Sequence, residues 1–149
     1  MLQGIAAQQR LRQARVLVIG AGGLGSAVLP LIAAAGIGKI ELFDGDRVEQ
    51  SNLGRQTLFR ETDIGKSKAS IAADFLRGLN PYIEVMAHDR KFTVEGINHI
   101  AATDLIIEGS DSLKAKFLLN DLAKQYKKPA FIAAPRSPSI CSPMSLVRP

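Results

Sequence analysis

Val16-Leu17-Val18-Ile19-Gly20-Ala21-Gly22-Gly23-Leu24-Gly25-Ser26 decides the fold. Four apolar residues with strand propensity run into G-x-G-x-x-G, and a helix-forming run follows. Gly20 permits a tight turn, Gly22 lets a phosphate approach the backbone, and Gly25 lets the new helix pack close to the strand. The N–H groups that open that helix then face an anion. An acidic residue belongs about 20 residues further on, at the end of a second strand, where it can hold ribose hydroxyls. Asp44 closes Lys39-Ile40-Glu41-Leu42-Phe43 at that position. The pattern is a nucleotide-binding βα turn. It does not choose among NAD, FAD and ATP, all of which present a ribose and phosphates.

The segment after Asp44 narrows the choice. Asp46, Asn52, Arg55 and Gln56 lie in a polar loop, and Lys68 opens a helical pattern beyond it. Arginine offers a planar fork suited to phosphate, and lysine a mobile point charge. Two cations and an amide beside a glycine loop suit a triphosphate better than a dinucleotide. The plain alternative is a solvated surface loop.

These elements together resemble the ThiF/MoeB/HesA adenylyltransferases, relatives of the ubiquitin-activating enzymes. The resemblance rests on Gly20 to Ser26, Asp44-x-Asp46 and Ser51-Asn52-Leu53-x-Arg55-Gln56. Asp63-Ile64-Gly65-x-x-Lys68 and Asn80-Pro81 extend it, and it runs from about Gln8 to about Ala134. It implies ATP and Mg²⁺, and a ubiquitin-like sulfur-carrier protein ending in Gly-Gly as partner. The carrier's C-terminal carboxylate would attack the α-phosphate, giving an acyl-adenylate and pyrophosphate. By position, Gly23 would line the phosphate site and Asp44 would hold the ribose. Asn52, Arg55 and Lys68 would contact the phosphates, with Arg55 and Lys68 offsetting the charge that builds as pyrophosphate leaves.

A further match follows Asp104-Leu105-Ile106-Ile107-Glu108, where Gly109-Ser110-Asp111-Ser112 stands against the family's D-x-T-D-N. Glu108 replaces the first Asp, Ser110 the Thr and Ser112 the Asn. Asp111 matches the Asp that would hold Mg²⁺, and a carboxylate is a suitable hard-oxygen ligand. Asp111 or Ser112 could equally cap the helix that follows.

Alternating strand and helix signals predict a Rossmann-like, doubly wound parallel α/β sheet with helices on both faces. Strands are expected at about 16–19, 39–43, 83–87, 104–108 and 130–134. Helices are expected at about 24–35, from Lys66 to Leu79, at 94–100 and at 113–126. Pro30 should kink the first of these or leave a gap in its ladder. Ile71, Ala72, Phe75, Leu76 and Leu79 read as the buried stripe of the second. Residues 1–134 form the ATP-binding domain in this reading. The Pro/Ser-rich tail, 135–149, reads as irregular.

Composition sets limits. A chain of 149 residues fits one domain, and 46% apolar with 22% charged residues is ordinary globular protein. The net charge of +5 is too diffuse to point to nucleic acid. No apolar run is long enough for a membrane span, and no signal peptide opens the chain. One cysteine, Cys141, fits a reducing cytoplasm and reads as a buried or loop thiol. His88 and His99 lack metal-ligand spacing, so they read as surface or satisfied core residues, and no zinc site is evident.

Three readings follow: an adenylyltransferase, an NAD(P)-binding Rossmann domain, and a weakened family member that only binds nucleotide or dimerises. Arg55, Gln56 and Lys68 favour the first over the second. The altered residues around Asp111 favour the third, as do two elements of the family pattern not found here. These are an N-terminal R-Y-x-R-Q and the later CxxC pairs. ATP binding without efficient turnover is therefore expected, together with a homodimer built on the apolar face of the first predicted helix.

Overall fold

A computed structural model describes the backbone of residues 2–132 and 145–147, and side chains from 4 to 132. Five parallel strands occur: β1 (Arg15–Ile19), β2 (Lys39–Phe43), β3 (Glu84–His88), β4 (Leu105–Glu108) and β5 (Ala130–Ile132). A sixth, β6 (Ser145–Val147), pairs antiparallel with β5. The sheet order is β3-β2-β1-β4-β5-β6. Connections therefore reverse direction between β1 and β4, and a crevice opens at their carboxyl ends.

Alternation along the strands sorts side chains onto two cores. Val16, Val18, Ile40 and Leu42 pack beneath α2 (Gly23–Ala34) and α3 (Lys68–Leu79). Leu17, Ile19, Phe43 and Ile106 pack beneath α4 (Ile97–Ala101) and α5 (Leu113–Gln125). The expected doubly wound parallel sheet is what forms.

Three details differ from the sequence reading, and a fourth accords with it. An N-terminal helix, α1 (Leu2–Gln13), precedes β1 and is tied to the turn after α2, where Gly38 N–H donates to the Leu11 carbonyl at 2.9 Å. Its apolar stripe is too weak to announce a helix, because its partners lie in a distant turn. α2 runs through Pro30 as one helix, the missing proline N–H leaving the expected gap in its ladder. α3 begins at Lys68 because the Ser67 hydroxyl caps it, accepting from Ser70 N–H at 3.4 Å. Its buried stripe is Ala69, Ala72, Ala73 and Leu76, while Phe75 and Leu79 are exposed.

The tail is not wholly irregular, since Ser145–Val147 completes a strand on the β5 edge. Backbone pairing needs no side-chain pattern, so a three-residue strand leaves little trace in sequence. The expected end of β5 at 133–134 and Cys141 lie outside the described residues. Among the described residues, no helix is long and apolar enough to cross a membrane.

Candidate nucleotide site

β1 delivers Gly20 at φ +92°, a conformation that favours glycine, and the turn passes under the segment after β4. A Cβ on Gly20 would come within 2.8 Å of Ser110 N. One turn into α2, a Cβ on Gly25 would run into the Gly20 carbonyl oxygen. Gly25 therefore permits the strand–helix approach, as its sequence position suggests. It lines neither cavity described below.

Two cavities meet at this crevice. The polar one, about 600 Å³, is bounded by Gly20, Gly22 and Gly23 on the glycine turn. Asp44, Asp46, Asn52, Arg55, Gln56 and Lys68 bound it from the loop side, and Asp111 from the end of β4. The fold thus gathers residues spread over some 90 positions of sequence. The second cavity, about 400 Å³, shares Gly20, Asp44, Asp46 and Asp111. Its other walls include Ile19, Phe43, Phe92, Val94 and Leu118, with Ser112 at its edge. Sequence reasoning missed these apolar walls. Phe43 and Leu118 read as ordinary core, and Phe92 and Val94 belong to a loop with no motif.

Asp44 ties the two motifs together. Its Oδ2 accepts from Ala21 N–H at 2.7 Å, and its Oδ1 accepts from Asp46 N–H at 2.8 Å. Each oxygen keeps a lone pair for another donor. Burial pushes the Asp44 pKa up, and the two amide bonds and Lys68 oppose that only in part. The folded protein then holds this proton more tightly than the unfolded chain. Asp44's contribution to stability is therefore full below the unfolded pKa and declines as pH rises through the raised value. A charge kept at such a cost is common at functional sites.

Lys68 is 6% exposed and close enough to Asp44 to attract its carboxylate, yet its ammonium makes no hydrogen bond or close ion pair among the described residues. Buried charges are ordinarily paired. Gln56 Oε1 is buried and without a hydrogen-bond partner as well. Arg55, by contrast, is exposed, and its Nη1 donates to the Ser51 carbonyl at 2.8 Å, which curls the guanidinium back over the loop. Asn52 is buried and braces that loop, its Oδ1 accepting from Glu49 N–H at 3.1 Å.

The segment after β4 rests on a buried ion pair. Glu108 is fully buried, and its Oε2 lies 2.5 Å from Lys116 Nζ. Its Oε1 accepts from Ser110 N–H at 2.8 Å and Ser110 Oγ at 2.6 Å. Lys116 also donates to the Ser110 carbonyl at 2.5 Å. This clamp holds the Gly109–Ser112 turn and leaves the Asp111 carboxylate exposed, at the border of both cavities. Ser112 caps α5, accepting from Ala115 N–H at 3.2 Å, so its hydroxyl is engaged in the fold. Lys116 was not singled out in sequence. The available signal was a lysine on the inward stripe that includes Ala115, Leu119 and Leu122.

Known proteins resemble this chain in sequence and in fold. The chain is 42% identical over 127 residues to a "probable adenylyltransferase/sulfurtransferase MoeZ" of Mycobacterium tuberculosis, covering 85% of this chain and 32% of that protein. It is 41% identical over 132 residues to a "sulfur carrier protein adenylyltransferase" of Thermus thermophilus, covering 88% of this chain and 49% of that one. The chain thus spans a third to a half of these relatives. Among solved structures, an E. coli tRNA N6-threonylcarbamoyladenosine dehydratase in complex with AMP superposes with a TM-score of 0.80 at 29% identity. That match covers 85% of this chain and 53% of the other. The ThiF family model matches residues 1–138, the span that carries the glycine turn, Asp44, Arg55, Lys68 and Asp111, and the chain belongs to the ThiF family.

Proposed function

We propose that this chain binds ATP·Mg²⁺ and adenylates the C-terminal glycine carboxylate of a ubiquitin-like sulfur-carrier protein. One observation carries the nucleotide part: a buried Lys68, without a hydrogen bond or close ion pair among the described residues, opening on a polar cavity walled by a glycine turn. A polyphosphate would supply counter-charge beyond that of Asp44. The carrier as substrate is supported by the named activity of the more similar relatives.

In this reading the triphosphate occupies the polar cavity and the base the apolar one. Asp44 accepts the ribose hydroxyls between them. Gly22 and Gly23 offer backbone to the phosphates, Asn52 contacts them from the loop that it also braces, and Gln56 lines the same cavity. The chemical step forms a bond from the carrier's carboxylate oxygen to the α-phosphorus. The bond to the bridging oxygen breaks, and its electron pair leaves with pyrophosphate. Arg55 and Lys68 offset the charge that develops on that leaving group.

Asp111 fits the Mg²⁺ implied by the family. Its carboxylate is exposed and has no hydrogen bond or ion pair among the described residues, and it offers hard oxygens where both cavities meet. The ion would neutralise phosphate charge and orient the chain of phosphates. Asp111→Ala should chiefly weaken the Mg²⁺ dependence of ATP binding, read as a flattened response of ATP affinity to Mg²⁺ concentration. An unchanged Mg²⁺ response would remove Asp111 from this role.

Self-association is part of the proposal. Leu31 projects from α2 into solvent, and Val28 and Ile32 are half-buried beside it, an apolar face suited to a second copy. A cytoplasmic location accords with the single cysteine.

The whole reading is tested by direct titration and by exchange. ATP·Mg²⁺ should bind and NADH should not bind comparably; the chain has no Trp to interfere with NADH fluorescence. Tighter binding of NADH would overturn the adenylyltransferase reading in favour of a dinucleotide domain. ATP–pyrophosphate exchange should then depend on a carrier ending in Gly-Gly. Exchange that ignores every such carrier but responds to tRNA would overturn the carrier as substrate.

A further inference from the structure

One cluster of ligand-type side chains lies outside both cavities. Alternation along β2 puts Glu41 and Phe43 on the α4/α5 face of the sheet. The β2–β3 register sets His88 beside Phe43, and α4 brings His99 over the same spot. Glu41 Oε1 then lies 2.8 Å from His88 Nε2 and 2.6 Å from His99 Nδ1. Three residues 47 and 11 positions apart in sequence converge on one point, which their spacing does not reveal.

From this convergence we infer that Glu41, His88 and His99 form a binding site for a divalent transition-metal ion, zinc foremost.

The donor atoms all lie within 4.8 Å of one another. Tetrahedral zinc with bonds of 2.0–2.2 Å would set them roughly 3.3 Å apart. Each contact with the carboxylate therefore needs to open by well under 1 Å, a small side-chain adjustment. Without metal, the carboxylate oxygen accepts from both rings. On binding, each neutral ring carries its proton on the other nitrogen, and the freed lone pairs point at the ion. No oxidant or further reactant is involved.

The rings are already held in place. Phe43 stacks on His88 at 4.0 Å and meets His99 edge-on at 5.1 Å. The two imidazoles lie 5.0 Å apart at 69°, so their lone pairs approach from different directions. Side-chain exposures of 13% for Glu41, 19% for His88 and 26% for His99 leave a fourth position for water. Two imidazoles and one carboxylate suit zinc, nickel or copper, whereas magnesium takes oxygen ligands. The site is thereby chemically distinct from Asp111. It would staple β2, β3 and α4 directly behind Phe43, a wall of the apolar cavity.

The chain contains only two histidines, so untagged protein reports on the site without any substitution. One equivalent of Zn²⁺ should shift the imidazole NMR signals of both, and Co²⁺ should give the d–d absorption of a four-coordinate site. Cys141→Ser should leave both results intact, which separates this site from a thiol ligand. In competition with a chromophoric chelator, His88→Gln and His99→Gln should each weaken zinc more than about 100-fold, since losing a ligand's mere supporting partner costs 10- to 100-fold. Circular dichroism would check that both variants remain folded. Imidazole signals unmoved by one equivalent of Zn²⁺ would overturn the inference, as would two folded variants that bind zinc like the parent.

Discussion

Lys116→Ala should lower the stability of this protein by about 3–5 kcal/mol. The reason is the neighbour left behind. Glu108 is fully buried at the end of β4, and Lys116 is its counter-ion at 2.5 Å. Taking two charges out of water is costly, so the pair itself contributes little net stability. Removing one member strands the other in a site without compensating charge. Denaturant unfolding should show the loss as a lower midpoint at an unchanged slope. The double variant Glu108→Gln with Lys116→Met should recover most of it, because an amide still accepts from Ser110 and no bare charge remains. A single variant as stable as the parent would show that the pair is not the clamp described here.

The same substitution reaches the nucleotide site. Glu108 holds Ser110 through its amide and hydroxyl, and Ser110 packs against Gly20 on one side and precedes Asp111 on the other. Loosening the clamp frees the Asp111 turn, so ATP·Mg²⁺ affinity should fall with stability. The double variant separates these effects, since it restores the support of Ser110 without the ion pair.

This clamp also shows where sequence reading stops. Local signals carried the strand–turn–helix of Val16 to Ser26, because glycine spacing and strand propensity act over a few residues. The five parallel strands were legible for the same reason. The eight polar positions around the crevice were legible as motif residues, and the fold brings all of them but Ser112 to one cavity. What the sequence could not supply was pairing across distance. Nothing local marks Lys116 as the partner of Glu108, or His99 as the neighbour of His88 and Glu41. Nothing local marks Phe92 and Val94 as cavity walls either. Such contacts are fixed by sheet order and register, which set in place residues that share no pattern. Gly25 and Ser112 show how much a local motif carries: the packing glycine and the helix cap that the sequence offered are what the structure uses, with Ser112 also at the edge of the apolar cavity.

Lys68→Ala should weaken nucleotide binding by roughly 10- to 150-fold, the equivalent of one charge-assisted bond. Its effect on the free protein should be small. Lys68 is buried and makes no hydrogen bond or close ion pair among the described residues, but the Asp44 carboxylate attracts it and offsets part of its desolvation. Lys68→Met, which keeps the aliphatic stem's packing, should therefore change the stability of the free protein little, while ATP affinity drops. Arg55→Ala should cost a similar factor in affinity with little change in stability, because Arg55 is exposed and bonded, among the described residues, only to the Ser51 carbonyl. The two losses should combine less than additively if both cations touch one phosphate, and additively if they touch different ones. Isothermal titration with ATP·Mg²⁺, run beside thermal unfolding of the free variants, reads both quantities. If Lys68→Met bound ATP·Mg²⁺ like the parent while remaining folded, the buried ammonium would have no part in phosphate recognition. A Lys68→Met variant that lost stability in the absence of nucleotide would show instead that the ammonium has a structural partner in the free protein.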